Sequence, residues 1–447
     1  MKRGFLLLAT TVFLTTGLHA QRKIEFEKYK LSNGLTVILH KDNSAPVVAV
    51  TALYHVGSKN ENPERTGFAH FFEHLLFEGS KNIKRGEFDK YVTNAGGALN
   101  ANTSQDRTFY YELLPSNQLE LGLWLESERM MHANIEDIGV NTQREVVKEE
   151  KRQRIDNQPY GTVLIEVLKR AFKEHPYRWA PIGSMEHLNA ASLKEFIEFY
   201  KTYYVPENCV LSIAGDFDAA KTKDLIQAYF GEIPKGVNTI KRPTIVEPPL
   251  GGEVRDTVYD NIQLPAVIQA YRAPKQGSKE YYAFNVLSTL LSGGESSRMN
   301  KILIDEKEIA VAAFAAPLFN EDAGLFINYA LPNMGITPDK LEVAVDSIIN
   351  QLKTQLVSEK EFQKVQNQIE SEFISSNATM AGIAESLANY QVYFGDANLI
   401  NTEIQKYRAV TRQELMDVAK KYFNKNNRVV LYYLPKNSQQ QNQSEEK

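Results

Sequence analysis

The chain has 447 residues, 43% of them hydrophobic and 24% charged, with a formal net charge of −4. That length is roughly two to four ordinary domains, and the composition excludes fibrous and wholly disordered classes. A near-neutral balance without a long run of like charges gives no electrostatic footprint for nucleic acid or anionic lipid. The lone cysteine, Cys209, can neither close an internal disulfide nor build a thiolate metal site, so any metal must rest on histidines and carboxylates.

Residues 1–20 read as an export signal: Lys2 and Arg3, an apolar run from Phe5 to Leu18, then Ala20 before Gln21. That run is too short to span a bilayer, and no other stretch approaches the roughly eighteen apolar residues a span needs. Alternating runs such as Leu35 to His40 and Val47 to Leu53 predict strands, and Asn33-Gly34 favours antiparallel pairing. Thr66 is suited to cap a mostly apolar helix that stops by Gly79, and Ser116 to His132 reads as a longer amphipathic helix.

The segment Ser192 to Leu211 matches Thr411 to Val430 without a gap at an offset of 219, with Glu195, Lys201, Tyr203, Asn208 and Val210 repeated as Glu414, Lys420, Tyr422, Asn427 and Val429. Each copy opens a helix with Ser or Thr and leads through Asn into a strand, so one unit is used twice. Between the copies, Ile233 to Gly252 holds four prolines and three glycines, a linker composition. The predicted organisation is two homologous α+β units by duplication, each a mostly antiparallel sheet with helices packed on it: 21–235, a linker 236–252, and 253–435. The tail, 436–447, lacks apolar anchors and is expected to be disordered.

All eight histidines lie at or before His187, which confines histidine chemistry to the first unit. There His70-Phe71-Phe72-Glu73-His74 forms an HxxEH motif. On a helix, His70 and His74 share one face, close enough for both imidazoles to reach one ion. Glu73 adjoins that face, where it can meet a water beside the ion without being a ligand, as a general base must. A catalytic zinc takes three protein ligands as a rule. Candidates for the third cluster in Gln143-Arg144-Glu145-Val146-Val147-Lys148-Glu149-Glu150: Glu145, Glu149 and Arg152 share a stripe that reads as solvated. Glu150 shares a side with Val146 and Val147, which favours it over Glu149.

With these motifs in place the chain resembles the pitrilysin, insulinase and mitochondrial-processing family of zinc peptidases. The matching stretches, in order, are LSNGLTVILHKD (Leu31 to Asp42), HVGSKNENPERTGFAHFFEHLLFEGS (His55 to Ser80), GGALNANTSQDRTFYYELLP (Gly96 to Pro115) and QREVVKEE (Gln143 to Glu150). The resemblance implies two homologous α+β domains, a zinc ion on His70, His74 and Glu150, and a metalloendopeptidase with Glu73 as its base. It further implies that a peptide substrate adds as a strand to a sheet edge at Asn100, Ala101, Asn102, Thr103 and Ser104.

The chain departs from the family pattern in two places. Gln143 stands where the family often has Glu. In the second half, Leu291 to Ala316 resembles the segment that carries an Arg and a Tyr near the substrate, but Ile304 and Val311 occupy those positions and can donate no hydrogen bond. Asn285, Ser288 and Thr289 fall opposite His70, Glu73 and His74, so the second half is expected to hold no metal. The chain is therefore expected to be the zinc-bearing member of a heterodimer whose paralogous partner supplies Arg and Tyr, with a homodimer as the competing arrangement. Export without a membrane span points to the periplasm if the source is bacterial. The alternative is a non-catalytic assembly or chaperone subunit that keeps the fold. A serine or cysteine hydrolase has less support, since no nucleophile elbow occurs and the GGESS run at Gly293 lacks the lysine of a phosphate loop.

Overall fold

A computed structural model describes residues 23–436; the segment expected to be an export signal, 1–20, and all of the tail beyond Lys436 lie outside the described residues. Six strands form the first sheet: β1 (Glu27–Lys30), β2 (Thr36–Lys41), β3 (Val47–Tyr54), β4 (Ala98–Thr103), β5 (Thr108–Pro115) and β6 (Cys209–Gly215), in the order β1-β2-β6-β3-β5-β4. Five form the second: β7 (Val254–Asp260), β8 (Ala266–Ala273), β9 (Ala310–Phe319), β10 (Gly324–Pro332) and β11 (Arg428–Pro435), in the order β7-β11-β8-β10-β9. Without β1 the two orders are the same. In both sheets the first strand pairs in parallel with the last, β2 with β6 and β7 with β11, and the remaining pairs are antiparallel.

The duplication extends to single hydrogen bonds. Ser192 and Glu195 form a capping box on the Leu193–Tyr203 helix, and Thr411 and Glu414 form the same box on the Arg412–Tyr422 helix. Asn208 Nδ2 donates to Tyr203 O at 2.8 Å, and Asn427 Nδ2 to Tyr422 O at 2.9 Å. Each asparagine ties its helix to the strand that follows.

Strand β3, VVAVTALY, is buried along nearly its whole length, as befits a central strand covered on both faces. One face packs under the helices of the first half. The other meets the Met380–Phe394 helix of the second half, where Ile38, Ala49, Leu53 and Val210 join Ile383, Ala384 and Leu387 in one cluster. In return the Val163–Ala171 helix of the first half lies against β8 and β11. Helices and sheet therefore do not stay within each half: each unit lends a helix to cover the other's sheet. Strand β4 is an edge, bonded only to β5, and its side chains alternate between exposed and half-buried. Among the described residues no helix is long and apolar enough to cross a membrane.

Candidate metal centre

The HxxEH helix runs from Phe68 to Leu75 and buries Phe68, Ala69, Phe71, Phe72 and Leu75. Its aromatics pack on the Leu193–Tyr203 helix, with ring centroids of Phe68 and Phe196 at 4.6 Å and of Phe72 and Phe199 at 5.6 Å. Seating that apolar stripe fixes the opposite one, which carries His70, Glu73 and His74. The helix begins after Gly67, at φ +99°, a residue with no side chain to cap it. Buried Glu61 does this instead, accepting from Gly67 N and Ala69 N at 2.9 Å each and from Trp179 Nε1 at 3.1 Å. Thr66, expected as the cap, is engaged elsewhere: its hydroxyl meets His187 Nδ1 at 2.9 Å and accepts from Ser184 N at 3.1 Å. At the other end, buried Arg129 donates from Nη1 to Leu76 O at 3.0 Å. Acceptor oxygens at the N-terminus satisfy free helix N–H groups, and the guanidinium at the C-terminus complements the helix dipole.

Glu150 comes from the last turn of the Asp137–Lys151 helix, which is seated by Val140 and Val147. Its Oε2 lies 3.0 Å from His74 Nε2 and 3.5 Å from His70 Nε2. One ligand atom from each of His70, His74 and Glu150 falls within 4.8 Å of the other two, and no second group of this kind occurs among the described residues. Two ligands on a tetrahedral zinc stand roughly 3.4 Å apart, so these separations suit one small ion. Glu150 Oε2 is buried and makes no hydrogen bond of acceptable geometry, despite the nearness of His74. Such an atom costs about 1–3 kcal/mol unless something positive meets it. Its other oxygen, Oε1, accepts from Arg154 Nη1 at 2.8 Å, which leaves Oε2 turned to the imidazoles. Burial, then the neighbouring His74, pushes His70 down to about 4, so its ring is neutral near pH 7 with a lone pair free for a cation. Histidine and carboxylate donors without thiolate fit zinc.

Glu73 stands beside this trio and outside it. Burial raises its carboxyl above the ordinary range, while the Thr103 hydroxyl and the His74 ring pull the other way. A carboxyl shifted toward neutrality is suited to take up and return a proton. The helix that carries Glu73 packs on β4, which ends at Thr103, so Glu73 adjoins the free sheet edge formed by Asn100, Ala101, Asn102 and Thr103, with Ser104 in the turn that follows.

Residues 36–181 match the family model for insulinase, peptidase family M16, and residues 190–369 match the model described as the peptidase M16 inactive domain. The chain belongs to the insulinase family. It is 31% identical over 434 residues to the zinc protease PqqE of Helicobacter pylori, spanning 96% of this chain and 98% of that protein. A crystal structure of a protease from Helicobacter pylori superposes with a TM-score of 0.88 at 31% identity, covering 92% of this chain and 100% of that one. The peptidase M16 inactive domain from Pseudomonas fluorescens has the same fold, with a TM-score of 0.82 over 92% of this chain and 98% of its own, at 15% identity. One insulinase fold thus serves a protease and an inactive domain, so function has to be argued from the site.

Within the insulinase pattern the Gln143 departure has a local reason. Gln143 Nε2 donates to Glu78 Oε1 at 2.5 Å, and Glu78 also receives Arg85, so a glutamate at 143 would set two carboxylates together. Val146 corrects the pattern argument for Glu150: it is 42% exposed, and only Val147 packs inward. The Glu150 side of the helix faces His70 and His74, where apolar neighbours are not required. In the second half, Ile304 is half-buried and Val311 lies exposed on β9, and neither offers a donor. Asn285, Ser288 and Thr289 lie on the Lys279–Ser292 helix with their side chains bonded to backbone carbonyls. Glu61 and Arg129, which grip the HxxEH helix, are the residues that pattern reading missed. Nothing in their local sequence marks them: Glu61 stands among Lys59, Asn60, Asn62 and Glu64, and Arg129 follows Glu126, Ser127 and Glu128.

Proposed function

We propose that this chain is a zinc metallopeptidase hydrolysing peptide bonds, with His70, His74 and Glu150 as the metal ligands and Glu73 as general base. The observation that carries the reading is the meeting of two imidazoles and a carboxylate beside a separate half-buried carboxyl, at the foot of an unpaired strand edge. Bound zinc supplies Lewis acidity that makes water nucleophilic near pH 7 and polarises a carbonyl. The remaining work falls to the chain's own groups. The Glu73 carboxylate accepts a proton from water and returns it to the departing amine. Arg154 holds Glu150 Oε1 and so orients the ligand oxygen. Strand β4 offers its free backbone groups to an extended peptide, which adds to the sheet next to Thr103 and Glu73. Recognition through backbone reads few side chains, and we expect broad peptide specificity.

With Ile304 and Val311 in the second half, the substrate contacts of an Arg and a Tyr have to come from another chain. We assign them to a paralogous partner in a heterodimer, against which a homodimer is the competing arrangement. The apolar leader at residues 1–20 supports export, to the periplasm in a bacterium. Hydrolysis of a quenched fluorescent peptide by the chain, alone and mixed with such a paralogue, tests the reading. Cleavage is expected to vanish with chelator, return with zinc and rise on adding the partner. Cleavage undiminished by chelator would overturn it, and a chain that binds no zinc would instead be a non-catalytic subunit.

A further inference from the structure

The two halves meet at a buried polar knot away from the metal centre. The tip between β9 and β10 presents Glu321 and Asp322 to Lys59, which is only 3% exposed. Lys59 Nζ lies 2.6 Å from Glu321, 3.1 Å from Asp322 and 3.0 Å from Asp106 of its own half. Backbone bonds fasten the same tip: Glu321 N donates to Asp106 Oδ2 at 2.9 Å, and Asp322 N to Tyr177 OH at 3.1 Å. A lysine this buried persists only among compensating anions, and two of its three come from the other half.

The knot sits where two parts of the metal site are joined. Lys59 and Asp106 belong to segments lying side by side, with Ser58 N donating to Ser104 O at 3.2 Å and Lys59 N to Gln105 O at 3.0 Å. The approach is close enough that a Cβ on Gly57 would lie 2.5 Å from Asp106 N. Residues 104–106 are the turn that ends β4. Two residues beyond Lys59 stands Glu61, the cap of the HxxEH helix. The second half also grips this turn through Arg107, whose Nη2 donates to Glu385 Oε1 at 2.5 Å.

We propose that the β9–β10 tip is a positioning element of the metal site: through Lys59 and Asp106 it fixes the turn after β4, so that the metal-free half sets how a peptide docks on that edge. The proposal rests on the peptidase reading above. The tip touches neither metal ligands nor Glu73, and acts only through the groups it holds.

The test is the Glu321→Gln/Asp322→Asn variant of the full chain, which keeps side-chain shape while removing both foreign charges from Lys59. Zinc content, peptide KM and kcat, and amide hydrogen exchange in segments 55–62 and 98–108 are measured together. Expected are unchanged zinc, faster exchange in those two segments and around His175 and Tyr177, which also meet Asp322 Oδ2, and KM raised roughly three- to thirtyfold with kcat nearly constant. Wild-type exchange and KM would overturn the proposal, and so would faster exchange with unaltered KM, which would reduce the knot to an ordinary interface. Should the double variant not fold, Glu321→Gln alone keeps Asp322 opposite Lys59 and is read the same way. Absence of cleavage by the unaltered zinc-loaded chain with its partner is a failure of the peptidase reading instead. Affinity of a labelled peptide for the Glu73→Gln chain then replaces KM.

Discussion

The two halves share a strand order, a capping box and an asparagine tie, yet they treat the polar residues of their equivalent helices differently. In the second half Asn285 Nδ2 donates to Tyr281 O, Thr289 Oγ1 to Asn285 O, and Ser288 and Ser292 both to Ala315 O of β9. Every one of these side chains is satisfied by backbone nearby. In the first half Glu150 Oε2 is buried without a hydrogen bond, facing two imidazoles. Duplication preserved what the fold needs in both units, while two imidazoles and a carboxylate converge in one, at the place where a cation would meet them, and the second unit holds only backbone-bonded Asn, Ser and Thr on its helix.

The sharpest way to break this contrast is Glu73→Gln, which keeps the shape of the helix and removes a proton acceptor. Zinc content should stay and kcat should fall roughly 10²- to 10⁴-fold; turnover near wild type would remove Glu73 from its role. Next in size is Arg129→Met. Arg129 is buried with Glu112 and Glu126, packs its guanidinium 4.1 Å from the Tyr110 ring centroid, and holds Leu76 O. Breaking such a group costs about 3–5 kcal/mol, which urea unfolding would report as a lower midpoint. The smallest effect tests the likeness of the halves. Ser192→Ala and Thr411→Ala each remove one capping box, and each should cost about 1 kcal/mol, with zinc content unaltered in both. A large difference between the two would show that the matched caps carry unequal loads.

What could be read from the sequence was local. HxxEH needs only helical spacing, the duplicated segment needs only self-comparison, and the strand pattern of Val47 to Tyr54 follows from its β-branched run. The choice of Glu150 over Glu149 came from the resemblance more than from periodicity, since Val146 turned out exposed. Contacts made across the chain were not legible. Lys59 finds Glu321 at a separation of 262 residues, and Glu61 replaces Thr66 as the helix cap only because His187 and Ser184 claim the threonine hydroxyl. The exchange of covering helices between halves is likewise a tertiary outcome, because an amphipathic stripe states that it will be covered and not by what.

The central claim is that Glu150, and no neighbouring acid, completes a zinc site with His70 and His74. Elemental analysis of the purified chain beside its Glu150→Gln and Glu149→Gln variants tests this most directly. The account predicts about one zinc per chain in wild type and in Glu149→Gln, and nearly none in Glu150→Gln; full zinc in the Glu150→Gln protein would contradict it.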